Sequence, residues 1–405
     1  MGKSRQPNLI RNETNRITVA DDQLMKNHDS ICYEKRIFSI GGIWPFKRTY
    51  VRFAIYISHF TLYLAMAYTD FYDVFGNLEL MVMNLVETAA YSMTFPIVWL
   101  IRCSNLLKLV IDVIKRDIAE RKFENPEEER IYYNYNFVSK VFTYGSIVGM
   151  FITVVLLYLR PLVQYLLTTN QASQNNTESL MLPYRVHPFL DTSNTHAYVL
   201  MYLYLFPMIY ISVCHMAAIC LVVILVFHIC GELSILSYRI RHIGEYSQTK
   251  TVERIRSFVR MHLKIIWLAK SVDDTFNLVL MDELLGNSIV LAISMYYVIM
   301  NLDVSEIATC CTFTFFAIIA LVMLFGYCLI GDQLTQQCIN VQDAYYECNW
   351  YEMPSNCKKC LLICMIRGQV MLYLTAGRFY IFSLNSFTDV IKTSLAYLSM
   401  LRTLL

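Results

Sequence analysis

Seven stretches of this chain are apolar over about the 20 residues that a helix needs to cross a bilayer, and that spacing leaves few folds open. Apolar runs lie near 51–70, 137–167, 197–230, 284–302 and 307–330, and a run at 78–101 is interrupted in its interior by Glu87. The last, at 377–403, is the least apolar and carries Ser383, Ser386, Thr388, Asp389, Lys392, Thr393 and Ser394. Polar and ionisable groups in lipid are expensive, so a spanning helix that keeps this many faces protein or water. The expected fold is all-α: seven transmembrane helices, the last one lining a pore.

Composition agrees. Of 405 residues 56% are hydrophobic and 16% charged, with a mean hydropathy of +0.42, where a soluble chain carries about 25% charged residues. The net charge of +2 is too small to suggest a nucleic-acid partner. The first 30 residues are polar and lack the apolar core of a signal peptide. The first spanning helix is therefore expected to act as its own insertion signal.

Lys and Arg collect in alternate loops. Segment 1–50 holds nine, 102–136 seven, 231–283 eight and 331–376 three; 71–77 and 303–306 hold none, and 168–196 only Arg185. By the positive-inside rule the amino terminus is cytosolic and the carboxyl terminus extracellular. This is opposite to a G-protein-coupled receptor. The external loops also lack the cysteines for that class's disulfide, the seventh helix has no NPxxY, and nothing like DRY follows the third. The 168–196 loop contains the acceptor Asn175-Asn176-Thr177, on the correct side for N-glycosylation, whereas Asn12-Glu13-Thr14 would be silent in the cytosol. The loop's Leu182-Pro183 and His187-Pro188-Phe189 read either as a stiff lid over the helices or as a plain connection.

The chain accordingly divides into a cytosolic segment (1–50), helices one to six (51–330), an assembly or anchor region (331–376) and the pore-lining seventh helix (377–405). Residues 231–283 read as cytosolic extensions of helices four and five. Leu334, Cys338, Val341, Tyr345 and Cys348 recur at steps of four and three, an apolar stripe for packing against partner helices. Cys357-Lys358-Lys359-Cys360 has the CxxC spacing of a zinc or redox site. Zinc would need two more ligands; Cys348 and Cys364 are the candidates, with no His nearby, so ordinary reduced thiols are expected. No nucleophile, metal or phosphate-binding constellation points to an enzyme, and no cofactor is expected.

The carboxyl-terminal third carries an ordered set of short motifs. They are Gly331-x-x-Leu334, Ala344-Tyr345, Asn349-Trp350-Tyr351, Lys358-Lys359 before Leu361-Leu362, and Arg367-x-Gln369. Ala376-Gly377-x-Phe379, Ser383-Leu384, Phe387 and Lys392-x-Ser394-x-x-Tyr397 complete it. In this combination the chain resembles the insect odorant receptors. The resemblance implies a tetrameric, non-selective cation channel opened directly by small volatile odorants, in the cell membrane of a sensory neuron dendrite, with membrane lipids and permeant cations as further partners. It also implies an odour-tuning subunit in a heterotetramer with a shared co-receptor subunit, because the co-receptor has a much longer loop between helices four and five. Val370, where the family often has proline, and Leu395, where a second polar residue is common, depart from the pattern.

On alignment at Tyr397 the resemblance places the pore and gate at Met400, Leu401, Leu404 and Ser394, with packing against lipid or helices as the other reading of the apolar members. Arg402 near that exit would repel cations in a homotetramer, which favours a heteromer. Assembly contacts fall on Trp350, Tyr351, Lys358, Lys359, Gln369 and Tyr397. The family's ligand site lies in the outer half of helices two to six. Here that region contains Thr88, Tyr91, Ser92, Gly149, Thr153, Tyr198, Tyr202, Phe206, Tyr296, Tyr297, Phe313 and Phe316. With 14% aromatic residues, many of these are interhelical or interfacial, Tyr198 among them. Glu87 reads as a structural carboxyl or a polar contact near the pocket, and His215 and His228 as structural. Pro96 and Pro207 are expected to kink their helices. Asp70, Asp73, Glu79, Asp303 and Glu306 form either a cation-concentrating vestibule or a solvated rim, and Asp389 and Lys392 are placed to pair.

A gustatory receptor is the nearest rival; it would show a Thr-Tyr…Gln-Phe motif in the seventh helix, where this chain has Thr393-Ser394-Leu395-Ala396-Tyr397. A secondary transporter should show internal repeats and paired broken helices, and neither is found.

Overall fold

The computed structural model describes residues 29–47, 49–171, 182–189, 194–245, 248–300 and 307–404. Its helices are α1 (Asp29–Ile40), α2 (Tyr50–Asp73), α3 (Leu78–Cys103), α4 (Asn105–Glu120), α5 (Pro126–Gln171) and α6 (Thr195–Leu205). They continue with α7 (Met208–Arg241), α8 (Gln248–Met300), α9 (Ile307–Glu347), α10 (Ser355–Gly368) and α11 (Leu384–Leu404). A hairpin of two-residue strands, β1 (Thr375–Ala376) and β2 (Tyr380–Ile381), precedes α11.

Every expected span falls on a helix. Among the described residues four are long and apolar enough to cross a membrane, by length and composition: Pro126–Val163, Thr195–Arg241, Thr251–Val298 and Cys310–Glu352. The other three expected spans fall on α2, α3 and α11, of 24, 26 and 21 residues. Pro96 lies inside an unbroken α3, whereas Pro207 separates α6 from α7.

α7 is the centre of the molecule. It is apolar on every side, as a helix enclosed by others must be, and α5, α8 and α9 pack around it. Packed on α8, α4 is amphipathic: Leu107, Val110, Ile111 and Ile114, at steps of three, one and three, form its buried face. Ser104 caps it by accepting from the Leu107 N–H at 3.1 Å, satisfying an N–H that the first turn leaves open. Where α7 ends, ion pairs lace the helices: Arg239 donates to both Glu128 oxygens at 2.8 and 2.7 Å, Arg254 pairs with Glu124 and Arg241 with Glu347, both at 2.6 Å.

Residues 29–44 belong to this packing too, which a single 1–50 segment did not suggest. Ile31, Phe38, Ile43 and Trp44 are buried. The Tyr210 hydroxyl donates to Ile37 O and accepts from Gly41 N–H, both at 2.7 Å.

The Leu334–Cys348 stripe is buried within its own chain, facing Cys357, Leu361, Cys364 and Gly368 of α10. Cys357 lies on this inner face and Cys360 on the exposed one.

The start of the seventh helix requires a correction. It begins at Leu384, not near 377. Gly377 and Arg378 both have positive φ, 58° and 65°, the geometry of a type I′ turn. That turn is closed by Phe379 N–H donating to Ala376 O at 3.3 Å. The turn reverses the chain and makes the hairpin. Among the described residues no ion pair joins Asp389 to Lys392.

Candidate functional site

A cavity of about 180 Å³ lies among α3, α5, α7, α8 and α9. Its walls are mainly apolar, with Val86 and Ala90 from α3, Met150 and Val154 from α5, Met216 from α7, Val290 from α8, and Phe316, Ile319, Ala320 and Met323 from α9. Polar groups are interspersed: Glu87, Tyr91, Thr94, Thr153, Arg160, Ser212, His215, Glu283 and Asn287. Such a site, concave, mostly apolar and with few polar groups to orient a guest, suits a small molecule.

Its roof is the 182–189 segment, which is more than a connection. Pro183 and Tyr184 line the cavity. The ring of Tyr184 sits edge-on to Tyr63 and Tyr91 at 6.1 and 5.8 Å, within the range of favourable aromatic pairs. Burial, and then the neighbouring Tyr91, push the Tyr184 hydroxyl well above the usual tyrosine range, so it stays neutral. Next to it Arg185 straps the segment down: its backbone N–H donates to Glu87 Oε2 and its Nε to Asp70 Oδ2, both at 3.0 Å. Asn84 Nδ2 donates to the same Asp70 oxygen at 2.9 Å. His187 N–H donates to Met66 O at 3.2 Å, and its Nδ1 is 2.6 Å from Asp73 Oδ2. Asp70 and Asp73 therefore fasten the roof. Asp303 and Glu306 lie outside the described residues, as does the side chain of Glu79.

Of the ligand-site residues expected from sequence, the structure brings Tyr91, Thr153 and Phe316 together on the cavity wall. Tyr91 is fixed there by a 3.0 Å hydrogen bond between its hydroxyl and Ser212 Oγ. The others stand elsewhere. Thr88 is buried and donates to Asn84 Oδ1, and Ser92 shares a hydrogen bond with Tyr68. Gly149 faces open space. Tyr202 pairs with Tyr158, each hydroxyl donating to the other's backbone carbonyl, with the Tyr198 ring against it at 5.9 Å. Phe206 is exposed. Tyr297 and Phe313 stack at 4.2 Å in a separate apolar cluster, with Tyr296 next to them in the chain but off the cavity wall.

The cavity also takes in Glu87, read from sequence as a structural carboxyl or a polar contact near the pocket, His215, read as structural, and Thr94, Ser212, Glu283 and Asn287, which were not named. Glu87, Tyr91 and Thr94, four and three apart, form one face of α3, turned by one residue from the Thr88–Ser92 face. Glu283, Asn287 and Val290 do the same on α8. That i, i+4, i+7 repeat was the available signal. Ser212 and His215 gave none, because α7 is apolar all round.

Trp350, Tyr351, Lys359 and Gln369 are exposed and Lys358 is half-buried. Leu362, Ile363 and Ile366 on the outer face of α10 are exposed as well. Ser394 is half-buried on α11. The side chains of Tyr397, Met400, Leu401 and Leu404, and all of Asn175, lie outside the described residues.

A family model described as 7tm Odorant receptor matches residues 77–395. The chain is 24% identical to odorant receptor 13a of Drosophila melanogaster over 291 residues, 65% of this chain and 66% of that one. It is 24% identical to the Drosophila melanogaster odorant receptor coreceptor over 147 residues, 36% of this chain and 30% of that one. The matched stretches thus span between about a third and two thirds of these relatives' own lengths. Among solved structures, the insect olfactory receptor OR5 from Machilis hrabei in complex with eugenol superposes with a TM-score of 0.75, covering 93% of this chain and all of that one at 16% identity.

Proposed function

The chain belongs to the 7tm odorant receptor family, and from that premise we propose that it is the odour-tuning subunit of an odorant-gated, non-selective cation channel. It is a helical membrane protein. In this reading a small volatile ligand enters the cavity beneath the 182–189 roof, held by dispersion and apolar burial, and α11 lines the pore. The observation that carries the reading is the concave, mostly apolar cavity among the helices. Two further features support it. Thr388, Asp389, Lys392 and Thr393 of α11 are exposed in the isolated chain, as suits a helix that faces water or other subunits. The outer face of α10 exposes apolar side chains suited to a shared co-receptor subunit.

The test is whole-cell current during odorant application, from the chain alone and with the co-receptor, with G-protein signalling blocked. A rapid cation current only with the co-receptor is expected. Silence in both cases, despite surface expression and a broad odour panel, would overturn the reading.

A further inference from the structure

The two ends of the cavity differ in chemistry. At the roof, Glu87 is answered: its Oε2 accepts from Arg185 N–H, and Arg160 also lines the cavity. At the inner end Glu283, 1% exposed, lines the cavity without such an answer. Its Oε2 lies 3.4 Å from both the Tyr327 hydroxyl and Asn287 Nδ2, which hold the carboxyl in place. Its Oε1 has no hydrogen-bond partner among the described residues. The basic group facing it is His215, whose Nε2 is 3.6 Å from Oε1, beyond hydrogen-bond reach, and whose Nδ1 is also unpartnered.

A buried polar atom left unmatched is costly, and here the unmatched oxygen belongs to a side chain that lines a cavity, so that a rotation of the carboxyl would present it to a guest. Resting on the reading of this cavity as the ligand site, we infer that its inner end is a subsite for a hydrogen-bond donor. The preferred ligand carries a hydroxyl or primary amino group on an apolar body, with the donor directed at Glu283 Oε1 beside His215. An aldehyde, ether or ester brings only acceptors and leaves Oε1 unmatched. A carboxylate likewise brings only acceptors. Size is consistent: a cavity of about 150 Å³ holds a benzene ring, so 180 Å³ suits one substituted ring or a short chain.

The test is calorimetric titration of the purified full chain in lipid nanodiscs with four ligands of one skeleton: 2-phenylethanol, 2-phenylethylamine, phenylacetaldehyde and ethylbenzene. Both donors should bind about tenfold tighter than the aldehyde and the hydrocarbon, the scale of matching one buried polar atom that is otherwise unsatisfied. Glu283→Leu should erase that advantage, leaving the alcohol and the amine no tighter than ethylbenzene in the same chain. Glu283→Gln keeps the shape and an acceptor oxygen, so it should hold the alcohol and release the amine. Equal affinities for all four ligands, or no binding by any, would overturn the inference. So would donor preference persisting in a folded Glu283→Leu chain, or undiminished amine binding in Glu283→Gln. Because binding is read directly, donor preference without odorant-evoked current would refute the channel reading alone, and current without donor preference the subsite alone.

Discussion

Gly331 and Gly377 stand where the segment leading into α11 meets α9 and α8 too closely for side chains. A Cβ at Gly331 would lie 2.3 Å from Phe382 O, and one at Gly377 would lie 2.6 Å from Met281 Sδ, on a backbone already at φ +58°. The Gly331-x-x-Leu334 and Ala376-Gly377-x-Phe379 motifs thus have a steric meaning: α9 and α8 are approached by backbone. Gly331→Val should lower stability by about 1–3 kcal/mol, the usual cost of forcing extra bulk into a packed site. The check is thermal unfolding of the purified chain, and unchanged unfolding would mean that Phe382 can retreat freely. The cavity residues are less legible at this scale. Tyr91, Thr153 and Phe316 could be named because an aromatic or hydroxyl residue in an apolar span invites the guess. Glu87 stood out as a carboxyl deep in an apolar span and was read as either structural or near the pocket, whereas placing Glu283 needed the rotation of α8 about its axis.

At the scale of elements, periodic features were readable and irregular ones were not. The α9 stripe from Leu334 to Cys348 repeats over four turns, so its burial follows from spacing alone. The hairpin gave no such signal, since Ala376-Gly377-Arg378-Phe379 reads as the start of an apolar helix until two successive residues are seen at positive φ. The roof was half-readable: its prolines announced stiffness, but its anchoring at Asp70, Glu87 and Met66 depends on contacts distant in sequence. Arg185→Met removes the guanidinium from Asp70 while leaving the backbone bond to Glu87. Ligand release should become several-fold faster, measured as the decay of current or of bound ligand after washout. An unaltered release rate would show that the backbone contacts hold the roof unaided.

For the whole molecule, seven helical segments and the family were legible because length, loop charge and short motifs survive without geometry. The inward docking of residues 29–44 was not, because a short helix of mixed composition reads equally as a surface element. Assembly belongs to this scale. Ile366→Glu on the exposed face of α10 should leave the isolated chain folded but prevent co-assembly with the co-receptor, as counted by subunit bleaching. Normal complexes would move the interface elsewhere. Met400→Ala should change ion flow more than odour preference, and unchanged conductance and basal current would remove Met400 from the gate.

The hairpin is held by the helix that also lines the cavity. Asp273 Oδ1 accepts from Thr375 N–H at 2.7 Å and from its hydroxyl at 2.8 Å, Asn277 O accepts from Gly377 N–H at 2.9 Å, and Asp274 pairs with Arg378 at 3.0 Å. Glu283 lies ten residues further along the same unbroken α8, about 15 Å at 1.5 Å per residue. A stiff rod therefore has its head on the cavity wall and its foot on the hairpin that precedes α11. A tilt or twist of that rod at the cavity would be carried along it to the hairpin.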